Sequence, residues 1–349
     1  MMQQIKRSCV TFDNNKRHYS DGDYANLEAS RKRKRQQQRK SSSTPPPIIL
    51  EIGGKTIPPP SPRPGYTVEI ICHTLSGLLI HMKKMDKKKN EAYAVKVFAS
   101  NFFSPRLHKG KEDWRMEMNV LRLLQDKPHP NMISMLFNSE RITPNCPVRS
   151  SYAYPFVGMP MAPHGDMHSF MIRRRKNGHP PTLSVELCTD AARQLLGALH
   201  HLHTIIGWVH GDVSIENILV MCEPPELHIC LCDMGLSRPM GTLRPTCGKK
   251  SYKSPEMLAS EHVVASPQQD IFAFGVCVWA MLYGTLPFEE ALSEDRRYCR
   301  MFIADQWREC LRSWSFSSKR IESPISHLIH RALHPDFWLK TAEECLTYL

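Results

Sequence analysis

The segment His-Gly-Asp-Val-Ser-Ile-Glu-Asn at 210–217 constrains this chain more than any other. It places a carboxylate and a carboxamide five residues apart, at Asp212 and Asn217. A second carboxylate, Asp233, follows sixteen residues after the amide and stands directly before Met-Gly. Each short pattern alone can arise by chance, so their weight depends on the motifs that accompany them.

Further motifs surround this pair in a definite order. They are Ala-Val-Lys at 94–96, His-Pro-Asn at 129–131, Ser-Pro-Glu at 254–256, Asp270 before the apolar run IFAFGVCVWAML, and GTLPF at 284–288. Across nearly all of the C-terminal four-fifths of the chain, the ordered set resembles the eukaryotic protein kinases. The resemblance implies an α+β, bilobal protein-kinase-like fold, with a β-rich N-lobe and a mainly helical C-lobe.

Hydrophobic periodicity agrees with that order of elements. Alternating, β-rich stretches at 66–82 and 91–98 enclose the lysine-rich turn MKKMDKKKN, which predicts a hairpin. Apolar residues recur at helical spacing over 112–125, and longer helices are expected around 184–204 and 268–283. The sequence therefore predicts strands first and helices afterwards.

The first 65 residues differ from the rest in composition. They hold 13 Lys and Arg against 5 Asp and Glu, a net charge of +8, whereas the remaining chain holds 33 against 29, a net of +4. Segments such as RKRKRQQQRK and SSSTPPP cannot bury enough apolar surface to offset the entropy of ordering. We therefore expect a disordered basic, proline-rich tail at 1–65 and a kinase domain at 66–349, divided into an N-lobe at about 66–158 and a C-lobe at about 159–349.

The resemblance implies that Lys96 contacts the α- and β-phosphates of ATP. Its partner is expected to be a carboxylate on the following helix. Glu117 is the better candidate, because it shares a helix face with Trp114, Val120 and Leu121. Glu112 lies earlier and off that face.

The same resemblance assigns the chemistry to three side chains. Asp212 would orient the substrate hydroxyl and accept its proton as the catalytic base. Asn217 and Asp233 would hold Mg²⁺, a hard cation that prefers oxygen ligands. The remaining implied contacts to ATP are Cys72 and Gly77 in the phosphate-covering loop, Leu79, Ala94, Met167 and Leu219 around the adenine, Met159 at the gatekeeper position, and Asp166 near the ribose.

Two departures from the family pattern affect phosphate binding and regulation. The stretch CHTLSGLL at 72–79 keeps only Gly77, with Cys72 and Thr74 at the other glycine positions, so we expect weakened ATP affinity. Gly211 replaces an arginine that, in many kinases, pairs with a phosphate on the activation loop. A phosphate on Thr246 would lack that partner, so activity is expected not to depend on it.

Two more departures concern charged groups. Ser214 stands where Ser/Thr kinases usually carry a lysine that touches the γ-phosphate, and Lys249 replaces the usual threonine of GTxxYxxPE. Losing one cation near developing charge is expected to slow transfer by roughly 10²–10³. The arginine that usually pairs with Glu256 is not evident, and Lys340 is the candidate substitute with weaker bidentate geometry.

The sequence favours an active Ser/Thr protein kinase that uses ATP and Mg and acts on protein substrates. The alternative is a pseudokinase, a scaffold or nucleotide-sensing module of the same fold. Glu216, Gly248 and Tyr252 resemble Ser/Thr rather than tyrosine kinases, although the missing lysine leaves that choice open.

A third hypothesis makes the basic tail the functional element. Its cluster suits a nuclear-import receptor or nucleic acid, and the alternative is a merely solvated tail. The N-terminus lacks the apolar core of a secretory signal, and the longest apolar run, Ile271 to Tyr283, is too short for a bilayer. We expect an intracellular protein, cytoplasmic or nuclear or both, with no membrane partner.

Overall fold

The computed structural model of this 349-residue chain describes most of the chain from residue 50 onwards. The described residues are 50–52, 55–57, 60, 62–73, 77–85, 91–98, 114–140, 146–149, 152, 154–335 and 339–349. Most of the tail expected at 1–65 therefore lies outside them, and the division at residue 66 stays a prediction. Strands β1 (Leu50–Ile52) and β2 (Lys55–Ile57) pair with each other in a separate hairpin.

A five-stranded antiparallel sheet forms the first layer of the fold. Its spatial order is β3-β4-β5-β7-β6. The strands are β3 (Tyr66–His73), β4 (Gly77–Lys84), β5 (Ala92–Phe98), β6 (Phe137–Asn138) and β7 (Phe156–Pro160). The predicted hairpin is confirmed, because β4 and β5 pair antiparallel on either side of the lysine-rich turn.

Alternation in β4 explains why this segment is a strand. Leu78, Ile80 and Met82 are fully buried, and they pack with Val95 and Val97 of β5 in one apolar cluster. Successive side chains of a strand point to opposite faces, so the residues between them lie on the other face of the sheet. One of those is Leu79, which is aligned with Lys96.

Helix α1 (Trp114–Asp126) lies between β5 and β6 in the chain. Its buried residues are Glu117, Met118, Val120, Leu121 and Leu124. Four of them belong to the stripe that the spacing predicted, whereas Trp114, its first member, is half-buried. A carboxylate therefore sits on the buried face of this helix, where an unpaired charge would be costly.

The helical part of the fold is built around two long helices. Helix α5 (Pro267–Tyr283) is buried at every position from Gln269 to Tyr283 and ends at Gly284, which adopts the left-handed conformation at φ 78°. Helix α3 (Val185–His200) is capped by Ser184 and continues as a π-helical turn, His201–Ile206. Both helices fall where the sequence placed them. Among the described residues, none of the helices has the length and apolar character needed to traverse a bilayer.

The remaining elements are short and complete the second lobe. The strands are β8 (Trp208–Val209), β9 (Ile218–Cys222), β10 (His228–Leu231), β11 (Arg238–Pro239), β12 (Leu243–Pro245) and β13 (His262–Val264). The helices are α2 (Met167–Lys176), α4 (Pro255–Leu258), α6 (Arg296–Tyr298), α7 (Trp307–Ser313), α8 (Ser318–Ile321), α9 (Pro324–Leu333) and α10 (Ala342–Leu346). Lys250–Tyr252 forms a 3₁₀ turn and Cys299–Ile303 a second π-helical turn. The strands of the first part and the helices of the second give the expected α+β, bilobal architecture.

Candidate active site

Lys96, in strand β5, contacts both helix α1 and the Asp-Met-Gly turn. Its ammonium Nζ lies 2.9 and 3.1 Å from the two carboxylate oxygens of Glu117 and 2.7 Å from Oδ1 of Asp233. Both Lys96 and Glu117 are almost completely buried. Opposite charges at hydrogen-bond distance offset the cost of burying them, which explains how a lysine is accommodated in strand β5. The alternative partner Glu112 lies outside the described residues.

Asp233 stands in an unusual backbone conformation at the start of the Asp-Met-Gly turn. Its φ is 67°, in the left-handed region, which aspartate adopts more readily than most residues. Burial alone would raise the pKa of its carboxyl, but the Lys96 ammonium outweighs burial and holds that pKa below its ordinary value. The side chain is therefore an anion at neutral pH.

Asp212 and Asn217 are locked together within their loop. The amide nitrogen of Asn217 donates to the Asp212 backbone oxygen at 2.7 Å and to its Oδ2 at 3.0 Å. The backbone N–H of Cys232 donates to the Asn217 carbonyl at 2.9 Å, which brings the residue before Asp233 against the same loop. Burial raises the pKa of the Asp212 carboxyl, and the nearby Lys249 ammonium opposes that rise.

Asp270, at the start of α5, holds the backbone of the Asp212 loop in place. Its carboxylate accepts backbone N–H bonds from His210 at 2.7 Å and Gly211 at 2.8 Å, and it lies 2.9 Å from Nε2 of His203. Burial would raise the pKa of the Asp270 carboxyl, but the hydrogen bond from His203, together with the backbone bond from Gly211, contributes to a net lowering of that pKa. Because one buried anion satisfies two successive amides, the backbone ahead of Asp212 is fixed in position.

The residues expected around the nucleotide fall on neighbouring backbone positions. Ala94 is aligned with Met159 across strands β5 and β7, and Asp166 bridges to Leu219. Asp166 also caps helix α2, because its carboxylate accepts bonds from the N–H and hydroxyl of Ser169, each at 2.8 Å. These positions lie on the strands and the helix cap that flank Lys96 and the Asp212 loop.

Not every residue that was expected to contact the nucleotide has an exposed side chain. Met167 is fully buried in the main apolar core, so its side chain presents no open surface to an adenine. Gly77 is aligned with Phe98 at the start of β4. Cys72 is aligned with Leu79 through its backbone, while its side chain and Thr74 lie outside the described residues.

Arg244 occupies the space that a side chain at Gly211 would need. A Cβ built on Gly211 would lie 2.2 Å from Nη1 of Arg244 and 2.8 Å from the Leu236 carbonyl oxygen. The arginine is buried, and its guanidinium donates to the Leu236 carbonyl at 3.3 Å and to Gln269 Oε1 at 3.1 Å. Arg244, from the segment that follows Asp233, thus places a cation beside position 211, where the family pattern has an arginine. Arg244 was not among the residues predicted from the sequence, although the missing arginine at position 211 is a signal that another cation could lie nearby.

Lys249 lies against the other altered loop position. Its Nζ is 2.6 Å from Oγ of the buried Ser214 and 3.1 Å from Oε2 of Glu216. The sequence showed both departures separately, a lost lysine at 214 and a gained one at 249, but not that the two side chains touch.

Glu256 lacks the cation that the family pattern leads one to expect. Its Oε1 accepts a 2.6 Å hydrogen bond from the Ser254 hydroxyl, whereas its buried Oε2 has no hydrogen-bond partner within the described part of the chain. Burial raises the pKa of this carboxyl, and the Ser254 bond opposes the rise only partly. Lys340 is exposed, and its backbone N–H bonds to Glu344. No contact between Lys340 and Glu256 is seen among the described residues.

Comparison with known proteins agrees with this geometry. Residues 80–345 match the family model described as the protein kinase domain. The chain is 30% identical over 225 residues to the human hormonally up-regulated neu tumor-associated kinase, a match that spans 62% of this chain and 26% of that protein. It is 36% identical over 152 residues to rat serine/threonine-protein kinase SBK2, spanning 42% of this chain and 40% of that one. The chain thus spans less than half the length of the curated relatives it matches.

A solved structure shares the fold. The kinase PK-1 of Cydia pomonella granulovirus superposes with a TM-score of 0.54 at 21% sequence identity, covering 80% of this chain and 93% of the viral one. At that identity the likeness concerns the fold alone. The family match, by contrast, covers most of the sequence and includes Lys96, Asp212, Asn217 and Asp233. This chain belongs to the protein kinase family.

Proposed function

We propose that this protein is an active kinase that transfers the γ-phosphoryl group of ATP to serine or threonine hydroxyls of protein substrates. The observation that carries the proposal is the position of the Lys96 ammonium, which contacts Glu117 of α1 and Asp233 of the Asp-Met-Gly turn at once. Phosphoryl transfer needs positioned charge more than covalent chemistry, and this cation fixes the helix and the turn relative to the sheet.

The donor set fits a magnesium ion. Asn217 uses its amide nitrogen for both bonds to Asp212, so those bonds leave its amide oxygen available. Asp233 is ionised and engages Lys96 through Oδ1, so its second oxygen is not used by that contact. Carboxylate and amide oxygens are ligands that Mg²⁺ accepts. When bound, the metal would neutralise charge on the phosphates.

Asp212 is the residue we assign as catalytic base. The two hydrogen bonds from Asn217 hold its backbone and carboxylate, and Asp270 fixes the two residues before it. A carboxylate held in this way can orient a substrate hydroxyl and accept its proton without reorganising first. The serine/threonine preference draws on the name of the SBK2 relative and on the Gly248 and Tyr252 positions. Because ATP is the donor, we place this activity in the cytoplasm or nucleus.

The pseudokinase alternative is the main competitor, and altered glycine positions at Cys72 and Thr74 favour it. The two hypotheses differ in one measurable property, the transfer of phosphate. Radiolabel transfer from Mg²⁺-ATP to a generic protein substrate should therefore be compared between the wild type and Asp212→Asn. The substitution keeps the shape of the side chain and removes its charge, so we expect it to abolish transfer.

Three further measurements complete this experiment. Phosphoamino acid analysis of the product distinguishes serine and threonine from tyrosine. A shift in thermal unfolding on adding Mg²⁺-ATP reports whether the altered glycine-poor loop still binds nucleotide. Unfolding of Asp212→Asn without ligand checks that the variant is folded. Equal background transfer by both proteins, with Asp212→Asn as stable as the wild type, would refute an active enzyme and leave the scaffold.

A further inference from the structure

Position 214 carries a hydroxyl where the family pattern carries a lysine, and position 249 carries a lysine where the pattern carries a hydroxyl. The loop position lacks its cation, and a lysine comes instead from the segment after Gly248. The structure brings the two together, with Lys249 Nζ 2.6 Å from Ser214 Oγ. The charge missing from the loop is therefore present next to it, delivered by a different part of the chain.

The backbone next to Lys249 lies close to Asp212, the proposed catalytic base. A Cβ built on Gly248 would lie 3.1 Å from Oδ1 of Asp212, so the backbone just before Lys249 packs against that carboxylate. Gly248 adopts φ 93°, a conformation that L side chains rarely take. A glycine at this position lets the segment approach closely enough for the lysine to reach the loop.

The far end of Lys249 stays accessible. Its side chain is 41% exposed, although Ser214 beneath it is fully buried. The ammonium also lies 5.9 Å from the centre of the Tyr252 ring. Its ionic partner, Glu216, is 36% exposed, and ion pairs between such side chains contribute little free energy. The ammonium group can therefore leave Glu216 for a phosphate at small cost, while the bond to Ser214 directs it towards the loop.

We propose that Lys249 is a catalytic residue whose ammonium contacts the terminal phosphate of the bound nucleotide and neutralises the charge that develops there during transfer. This inference rests on the proposed function and deepens it, because it supplies the cation that Ser214 cannot. A lysine serving only a surface ion pair would not need to bond the buried Ser214.

The kinetic test compares Lys249→Ala with Lys250→Ala. Lys250 is the adjacent lysine, 73% exposed and paired with Glu290 at 2.8 Å, away from the loop. We expect Lys249→Ala to lower kcat by roughly 10²–10³, as for other lost electrostatic donors, and Lys250→Ala to leave it unchanged. Equal kcat for Lys249→Ala and the wild type would overturn the inference.

A binding test does not depend on turnover. Equilibrium affinities for the non-hydrolysable analogue Mg²⁺-AMP-PNP and for Mg²⁺-ADP are measured for the wild type and Lys249→Ala. Because only the first carries a γ-phosphate, its affinity should fall by about tenfold while that of ADP holds. An equal fall for both ligands, a fall for neither, or no binding to the wild type would each overturn it.

The exchange can also be reversed. The double variant Ser214→Lys/Lys249→Ser returns the lysine to the loop, and it should recover both kcat and the preference for AMP-PNP relative to Lys249→Ala. A folded double variant, judged by its unfolding midpoint, that recovers neither would count against the inference. The proposed function fails separately, if wild type and Asp212→Asn transfer alike, and the AMP-PNP to ADP ratio would still report on Lys249.

Discussion

Gly211→Ala should destabilise the protein by more than its backbone conformation alone explains. At φ 78° an alanine costs about 1–2 kcal/mol, because its Cβ crowds the following carbonyl. Here the Cβ would also lie 2.2 Å from Nη1 of Arg244 and 2.8 Å from the Leu236 carbonyl oxygen. Displacing the guanidinium leaves buried acceptors on Leu236 and Gln269 without a donor, which costs about 1–3 kcal/mol more. The expected loss is about 2–5 kcal/mol in the free energy of unfolding.

Gly241→Ala is the matched control for this experiment. Gly241 has φ 79°, and nothing lies within 4 Å of a Cβ built there, so it should lose only the conformational part, about 1–2 kcal/mol. Equilibrium urea unfolding of the two variants gives the difference directly. In an Arg244→Ala background, the cost of Gly211→Ala in excess of Gly241→Ala should shrink to the part due to the Leu236 carbonyl, which a Cβ at 211 still meets at 2.8 Å. If Gly211→Ala and Gly241→Ala were equally stable in the wild-type background, the assigned contact between Gly211 and Arg244 would be wrong.

Two more variants test the surroundings of the site. Thr246→Ala should keep the specific activity of the wild type, because Gly211 offers no side chain to a phosphate and the threonine hydroxyl already donates to the Ser260 carbonyl at 2.9 Å; a collapse of kcat/KM in a phosphate-transfer assay would contradict this. Glu256→Gln should raise the unfolding temperature at about pH 8 and lose that gain at about pH 4. Burial raises the pKa of Glu256 above its unfolded value, so folding favours the protonated acid and stability falls as pH rises through the folded pKa. If thermal unfolding showed the same effect of Glu256→Gln on the unfolding temperature at every pH across that range, the raised pKa of this carboxyl would be wrong.

Periodicity predicted the elements of this fold well where local sequence decides them. The stripe on α1 identified Glu117 as an inward carboxylate, and the structure brings it to Lys96 at 2.9 Å. The run from Ile271 to Tyr283 shows no such stripe, because every face of α5 is covered, and its length and continuous apolar character predicted a buried helix instead. Patterns of this kind depend only on neighbours three or four residues apart.

Such local patterns do not predict contacts between segments that are distant in the chain. Gly211 and Arg244 are separated by 33 positions, and neither residue type predicts the other. The pairing of Lys249 with Ser214 is of the same kind, because it depends on how closely Gly248 approaches Asp212. The full burial of Met167 is of the same kind, since burial of a methionine is decided by the side chains packed around it. The identity of the site residues could be predicted from the sequence, whereas tertiary packing decides which of them are in contact.

The contact between Gly211 and Arg244 also has an evolutionary consequence. A side chain at position 211 would collide with the guanidinium, so a single substitution that placed an arginine there would displace Arg244. Loss of Arg244 first would leave its buried acceptors unpaired. Each of the two single substitutions is therefore expected to cost stability, so positions 211 and 244 should tolerate change only when both change together.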